Sequence, residues 1–270
     1  MSEGKQLKTW TTSRIRACKG KEKIVSLTAY DYSTARLLDA AGIHLIIVGD
    51  SLAMTVLGYD STIPVTMEEM IHHTRAVARG APHPLIVGDM PFLSYQASIS
   101  QAIDNAGRMI KDGNADAVKI EGGALRSETV SRLVENGIPV MGHIGLTPQS
   151  VKEFGGYHVQ GKDERKAGKL LEDALVLEEA GCFSIVLEGI PADLGAEISG
   201  RLEIPTVGIG AGPGCDGQVL VIQDMLGMFE EFTPKFVKQY ADLGDVMREA
   251  FTAYFREVQD GTFPGPEHCY

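Results

Sequence analysis

LIIVGDS, residues 45–51, reads as a buried strand that ends on an acid. Its four leading residues are apolar with no polar alternation, the mark of a strand covered on both faces. Asp50 stands where the run stops. The pattern recurs. LIVGDM (85–90) ends on Asp89, AVKIEG (117–122) carries Glu121, and FSIVLEG (183–189) carries Glu188. Four further runs complete a set of eight: IVSLTAY (24–30), PVMGHIGL (139–146), PTVGIGAG (205–212) and VLVIQDM (219–225).

Helical stretches lie between these runs. Residues 33–41 open on Ser33 as an N-cap and stop at Gly42. Residues 66–79 open with a capping box, Thr66 followed three places on by Glu69. Residues 98–112 carry a helical apolar stripe. Residues 125–135, 164–179, 192–202 and 234–257 continue the series, the last with a candidate break at Gly244. Strand and helix alternating over about 250 residues predict an α/β chain, a single (β/α)8 TIM barrel. A doubly wound sheet is the alternative. Against it, TAYDYS follows the first strand, where a Gly-rich dinucleotide loop would stand. With no polar linker, one domain is expected over 1–270, with 1–23 as an N-terminal helical capping segment and 258–270 as a tail. The six residues 213–218 are too few for a helix, so the last two strands join by a tight loop or one segment there is misread.

A net charge of −11 argues against nucleic acid as a partner and gives no sign of a membrane surface. The first 23 residues hold seven Lys/Arg against two Glu, which resembles a transit segment. The early strand at Ile24 favours a solvated capping helix instead. No apolar stretch is long enough to span a bilayer. Cys18, Cys182, Cys215 and Cys269 fit no zinc spacing, so they read as reduced thiols of a cytoplasmic protein. Cys182, between Gly181 and Phe183, reads as a small buried hydrophobe.

In a barrel, strand C-termini share one rim, and that rim carries the active site. Asp50, Asp89 and Glu121 are therefore candidate oxygen ligands for Mg²⁺. Any one acid could instead cap a helix or pair with a cation; three on one rim have no such reason to coincide. Lys119 shares a strand face with Glu121 and offsets the acids or holds a substrate carboxylate. A Schiff base is less favoured, because neighbouring carboxylates raise its pKa. Glu188 is a candidate general base, with metal ligand or helix cap as plainer roles. His143 is a candidate to bind substrate or relay protons, or a structural histidine. Gly212, Gly214 and Gly217 mimic a dinucleotide fingerprint, but a strand run follows them rather than a helix. The loops 58–70 and 90–96 are candidate lids.

The motifs TAYDYSTA, VGDSLAMTVLGYDSTIPVTMEEMIHHTRAV, VGDMPFLSYQ, AVKIEGG, VMGHIGLTPQS, VLEGIP and GIGAGPGCDGQVLVIQDMLG resemble, in order, the ketopantoate hydroxymethyltransferase family. The resemblance runs from about residue 8 to the C-terminus, ending in TFPGPEHCY with Cys269 where the family pattern has Ser. It implies a barrel of the phosphoenolpyruvate/pyruvate type. It also implies hydroxymethyl transfer from 5,10-methylenetetrahydrofolate to 3-methyl-2-oxobutanoate, giving 2-dehydropantoate for pantothenate and coenzyme A synthesis. Asp50, Asp89 and Glu121 match the family's Mg²⁺ positions. Asp50, Ser51, Asp89 and Lys119 match its keto-acid contacts, and Glu188 its proton acceptor. The family is multimeric, often a decamer. The chemistry is coherent: a 2-oxo acid chelates Mg²⁺, the cation stabilises an enolate, and the enolate takes up the folate-borne one-carbon unit. The rival reading is a Mg²⁺-dependent carbon–carbon lyase of the isocitrate lyase or phosphonopyruvate type. Those enzymes carry a Lys-Cys-Gly-His loop, and no Cys lies between Cys18 and Cys182.

Overall fold

A computed structural model describes residues 8–228 and 233–270. Eight parallel strands close in sequence order into a barrel. They are β1 (Ile24–Thr28), β2 (Leu45–Val48), β3 (Leu85–Asp89), β4 (Ala117–Glu121), β5 (Val140–Gly145), β6 (Ser184–Glu188), β7 (Thr206–Ile209) and β8 (Gly217–Leu220), with β8 pairing back on β1. The (β/α)8 architecture expected from the alternating runs is the one the chain forms. The chain divides into two compact units, Met1–Val221 and Ile222–Tyr270, and every barrel strand lies in the first.

The barrel interior is layered. Ile24, Leu45, Leu85, Ala117 and Val219 join Ile47, Val87, Met141, Val186 and Val207 in one apolar core. Below it, the helix Thr12–Ala17 brings Ile15 into the same core, with Cys18 following it and Trp10 packed against it. Two residues further along β3, β4, β5 and β6 the inward positions turn polar, because side chains on a strand alternate faces. Val87 is followed by Asp89, Ala117 by Lys119 and Glu121, Met141 by His143, and Val186 by Glu188. Register aligns them: Asp89 pairs with Lys119, Glu121 with His143, and Gly145 with Glu188. Gly145 has a φ of +97°, and a Cβ there would lie 2.2 Å from the Glu188 carbonyl oxygen. Only glycine lets β5 and β6 end this closely.

Helices cover the barrel as the capping signals indicate. Thr66 and Glu69 form the reciprocal capping box of helix Met67–Gly80. Ser98 caps Ile99–Lys111. In the first helix after β1, however, Asp31 is the N-cap of Tyr32–Ala40, its carboxylate accepting from Thr34 N at 2.9 Å. A longer carboxylate two residues earlier outcompetes Ser33.

The last strand also lies earlier than the run 219–225 suggests. β8 begins at Gly217, where a Cβ would meet the Ile24 carbonyl oxygen at 2.5 Å, and Ile222–Met225 is a short helix. β7 and β8 join by the tight loop 210–216. In the second unit the long helix is Leu243–Gln259, with Gly244 inside it and no helix over 234–242. The amides of Tyr240 and Leu243 bond the carbonyls of Met225 and Leu226, which takes that backbone out of helical pairing. The segment expected as a tail ends in the turn Pro266–His268. Residues 1–7 of the expected capping segment lie outside the described residues. No helix among the described residues is long and apolar enough to cross a membrane.

Candidate active site

The polar layer at the strand C-termini is buried. Asp50, Asp89, Lys119, Glu121 and His143 are each at most 5% exposed. Lys119 sits among the acids, its Nζ 2.9 Å from Asp89 Oδ2 and 3.8 Å from Glu121 Oε1. The same Asp89 oxygen accepts from the backbone N–H of Asp50 at 3.2 Å. Glu188, at the end of β6, is half-buried and reaches the cluster through His143, with Oε2 3.2 Å from His143 Nε2. Ser51 stands at the edge, its Oγ 2.8 Å from the Tyr30 hydroxyl. The structure thus gathers Asp50, Asp89, Lys119, Glu121 and His143 into one cluster, with Glu188 linked to it and Ser51 adjoining.

Burial and crowding shape the titration. Burial, then the charges of Asp89 and Glu121, push the Asp50 carboxyl well above its ordinary range. Burial also raises Asp89, although Lys119 opposes it. Glu121 goes the other way. Burial raises it, but the His143 contact and the Lys119 charge outweigh that and hold it low. Lys119 is raised because three carboxylates outweigh its burial. At His143, burial and the Lys119 charge lower the pKa, while Glu121 and Glu188 raise it further, to about 9. The Lys119 ammonium stands 3.0 Å from His143 Nδ1, and an N–H donated there needs a lone pair on the ring. Two facing N–H groups cannot share that distance; the same Nδ1 lies 3.4 Å from Glu121 Oε1, and Nε2 lies 3.2 Å from Glu188 Oε2 without forming a hydrogen bond.

Three buried carboxylates against one ammonium leave a formal charge of −2 when all are ionised and His143 is neutral. Asp89 Oδ1 and Glu121 Oε1 are buried without a hydrogen-bond donor. A buried acceptor left without a donor costs about 1–3 kcal/mol, more when it is charged. Among the described residues no group of three or more His, Cys, Asp or Glu side chains is arranged to hold a metal ion. The Lys119 ammonium stands beside both Asp89 and Glu121. A Mg²⁺ site needs no all-protein cage, since the ion keeps water and substrate oxygens and takes one or two carboxylates.

Two residues that were not among the sequence-predicted site residues sit inside this cluster, Gln149 and, in the candidate lid 90–96, Tyr95. Gln149, in the 3₁₀ turn Pro148–Ser150, donates from Nε2 to Asp50 Oδ2 at 3.0 Å and from its backbone N–H to Glu121 Oε2 at 3.0 Å. Tyr95, 1% exposed, donates its hydroxyl to Gln149 Oε1 at 2.8 Å and accepts from the Glu121 N–H at 3.2 Å. The only sequence signal was position, immediately after strands that carry site residues.

The chain matches the family model described as ketopantoate hydroxymethyltransferase over residues 9–266. It belongs to that family. A 3-methyl-2-oxobutanoate hydroxymethyltransferase of Clostridium novyi (strain NT) is 60% identical over 264 residues, covering 98% of this chain and 96% of the relative. The enzyme of the same name from Syntrophus aciditrophicus (strain SB) is 56% identical over 270 residues, covering 100% and 98%. Family membership makes the chain an enzyme, a hydroxymethyltransferase. Among solved structures it is similar to 2,3-dimethylmalate lyase, a member of the PEP mutase/isocitrate lyase superfamily. That match has a TM-score of 0.63 at 16% identity and covers 96% of this chain and 93% of the other. Phosphonopyruvate hydrolase in complex with oxalate and Mg²⁺ gives 0.60 at 12% identity, covering 96% and 93%. At such identities the likeness establishes the barrel fold alone.

Proposed function

We propose that the chain transfers a hydroxymethyl group from 5,10-methylenetetrahydrofolate to 3-methyl-2-oxobutanoate, with Mg²⁺ held by Asp50, Asp89 and Glu121. The observation that carries this reading is the charge deficit of the cluster. A formal −2 with two donorless carboxylate oxygens is what a divalent cation offsets. The hydrolase of the same fold, solved with oxalate and Mg²⁺, supports the pairing of a small dicarbonyl acid with that ion. Bound there, Mg²⁺ supplies the positive charge that polarises the 2-oxo group.

The residues of the chain do the rest. Lys119, kept charged by its carboxylate neighbours, holds the negative charge of the keto acid, and Asp50, Ser51 and Asp89 orient it. Glu188 removes the proton from carbon 3, so the C–H pair of electrons moves toward the oxo group. His143, whose Nε2 lies 3.2 Å from Glu188 Oε2, stands beside that carboxylate and lines the substrate's site. Carbon 3 then bonds the one-carbon unit. Overall its C–H bond becomes a C–C bond, water supplies the hydroxyl oxygen, and tetrahydrofolate leaves. The product, 2-dehydropantoate, is placed in pantothenate and coenzyme A synthesis. We further propose a homo-oligomer, with the decamer as the form the resemblance implies, acting in the cytoplasm without nucleic-acid or membrane partners.

The test is proton exchange. In deuterated water with Mg²⁺ and no folate, the carbon-3 proton of 3-methyl-2-oxobutanoate is expected to exchange, with EDTA abolishing and Mg²⁺ restoring the signal loss by NMR. Metal-independent exchange, or trapping of the substrate on Lys119 by borohydride, contradicts the reading. The lyase alternative rests on fold likeness and is tested by offering a 2-hydroxy diacid and looking for cleavage.

A further inference from the structure

We infer that Gln149 is the positioning residue that fixes the spacing of Asp50 and Glu121. The inference rests on the reading of those acids as the metal and keto-acid site.

One residue reaches both carboxylates by different atoms. The side-chain amide donates to Asp50 Oδ2 at 3.0 Å, and the backbone N–H donates to Glu121 Oε2 at 3.0 Å. Asp50 follows β2 and Glu121 ends β4, so nothing in the local chain sets their separation. The amide's orientation is fixed by a third contact. Nε2 also donates to the Met90 carbonyl at 2.9 Å, and a carbonyl can only accept. The remaining amide atom, Oε1, is held by the Tyr95 hydroxyl at 2.8 Å and Gln96 Nε2 at 3.1 Å. Every polar atom of the Gln149 side chain is therefore engaged while it is 5% exposed. Asp50 and Glu121 repel each other, and Gln149 holds one oxygen of each. A glutamine does this without adding charge, and without occupying Asp89 Oδ1 or Glu121 Oε1, the oxygens that lack donors. Such outer partners orient ligands and set metal affinity.

The test is Mn²⁺ binding to the full chain, without keto acid or folate, followed by the EPR signal of the free ion. Gln149→Met keeps the volume and removes both side-chain donor bonds. Its Mn²⁺ dissociation constant is expected to rise about 10- to 100-fold, the range for lost outer partners. Its kcat at saturating Mg²⁺ should fall far less than its Mg²⁺ requirement rises. Tyr95→Phe removes the hydroxyl that orients Oε1 and that also accepts from the Glu121 N–H, and is expected to give a smaller rise than Gln149→Met. It keeps the inference open to refutation should Gln149→Met fail to fold. Wild-type Mn²⁺ affinity in a folded Gln149→Met or in Tyr95→Phe overturns the positioning role and leaves the metal site standing. Absence of Mn²⁺ binding by the wild-type chain overturns the reading on which the inference rests.

Discussion

The two ends of the barrel both bury charge, and they treat it differently. At the strand N-termini, Asp216 accepts from Lys19 Nζ at 2.9 Å, Thr206 N at 2.9 Å, Gly20 N at 3.2 Å and Thr206 Oγ1 at 3.2 Å. Burial raises its pKa, but the Lys19 and Thr206 bonds outweigh it and hold the carboxyl below its usual range. One acid there meets four donors, enough for both of its oxygens. At the strand C-termini three buried acids share one ammonium, and two of their oxygens have no donor. The first arrangement stabilises the fold. The second destabilises it until something of opposite charge arrives, which marks a site built for a ligand.

The comparison can be broken from the catalytic end first. Glu188→Gln is expected to lower carbon-3 proton exchange by about 10²- to 10⁴-fold, the usual worth of a general base. Thermal melts should show it as stable as wild type, since the side chain is only half-buried. Exchange at the wild-type rate would remove Glu188 from the reaction. Next, Asp50→Asn is expected to weaken Mg²⁺ binding by at least about tenfold, read by calorimetry. The metal-free protein should gain stability, on the order of 1 kcal/mol, because a like charge leaves a crowded cluster while Gln149 keeps an oxygen to bond. A large loss of metal-free stability would mean that the mouth is a structural network like the opposite end.

Asp216→Asn sharpens the contrast from the other side. It is expected to cost about 2–3 kcal/mol by denaturant unfolding, with kcat near wild type. The pH dependence has a definite sign. Asp216 has a folded-state pKa below its unfolded value, so its stabilisation is complete above the unfolded value of about 4. It is lost as pH falls through the lower folded-state value. The stability gap between wild type and Asp216→Asn should therefore close below about pH 4. The smallest effect belongs to Cys182, whose thiol burial pushes up to about 12. Cys182→Ala should cost about 1 kcal/mol and leave turnover intact, and alkylating reagents should spare this thiol in the folded protein.

Much of this architecture is legible in the chain. Continuous runs such as LIIV announce strands covered on both faces, and the acids that close four of the runs can be read from the residues alone. The box of Thr66 and Glu69 places a helix start to the residue. Register is not legible: that Asp89 faces Lys119 and Glu121 faces His143 follows from barrel closure. β8 reads late because Val219–Leu220 runs on into apolar Val221 and Ile222, whereas the strand begins at glycine, where only a missing Cβ lets β1 approach. Gln149 and Tyr95 escape notice for another reason. A glutamine or tyrosine in a loop is ordinary, and only the path of two loops over the barrel mouth turns them toward Asp50 and Glu121.

The most direct test of the central claim is a crystal structure with Mg²⁺ and 3-methyl-2-oxobutanoate bound. The account expects the cation against carboxylate oxygens from the Asp50, Asp89 and Glu121 group and the keto acid's own oxygens, with carbon 3 turned toward Glu188. A cation bound elsewhere, or a keto acid seated on Lys119 with no cation against those carboxylates, would contradict it.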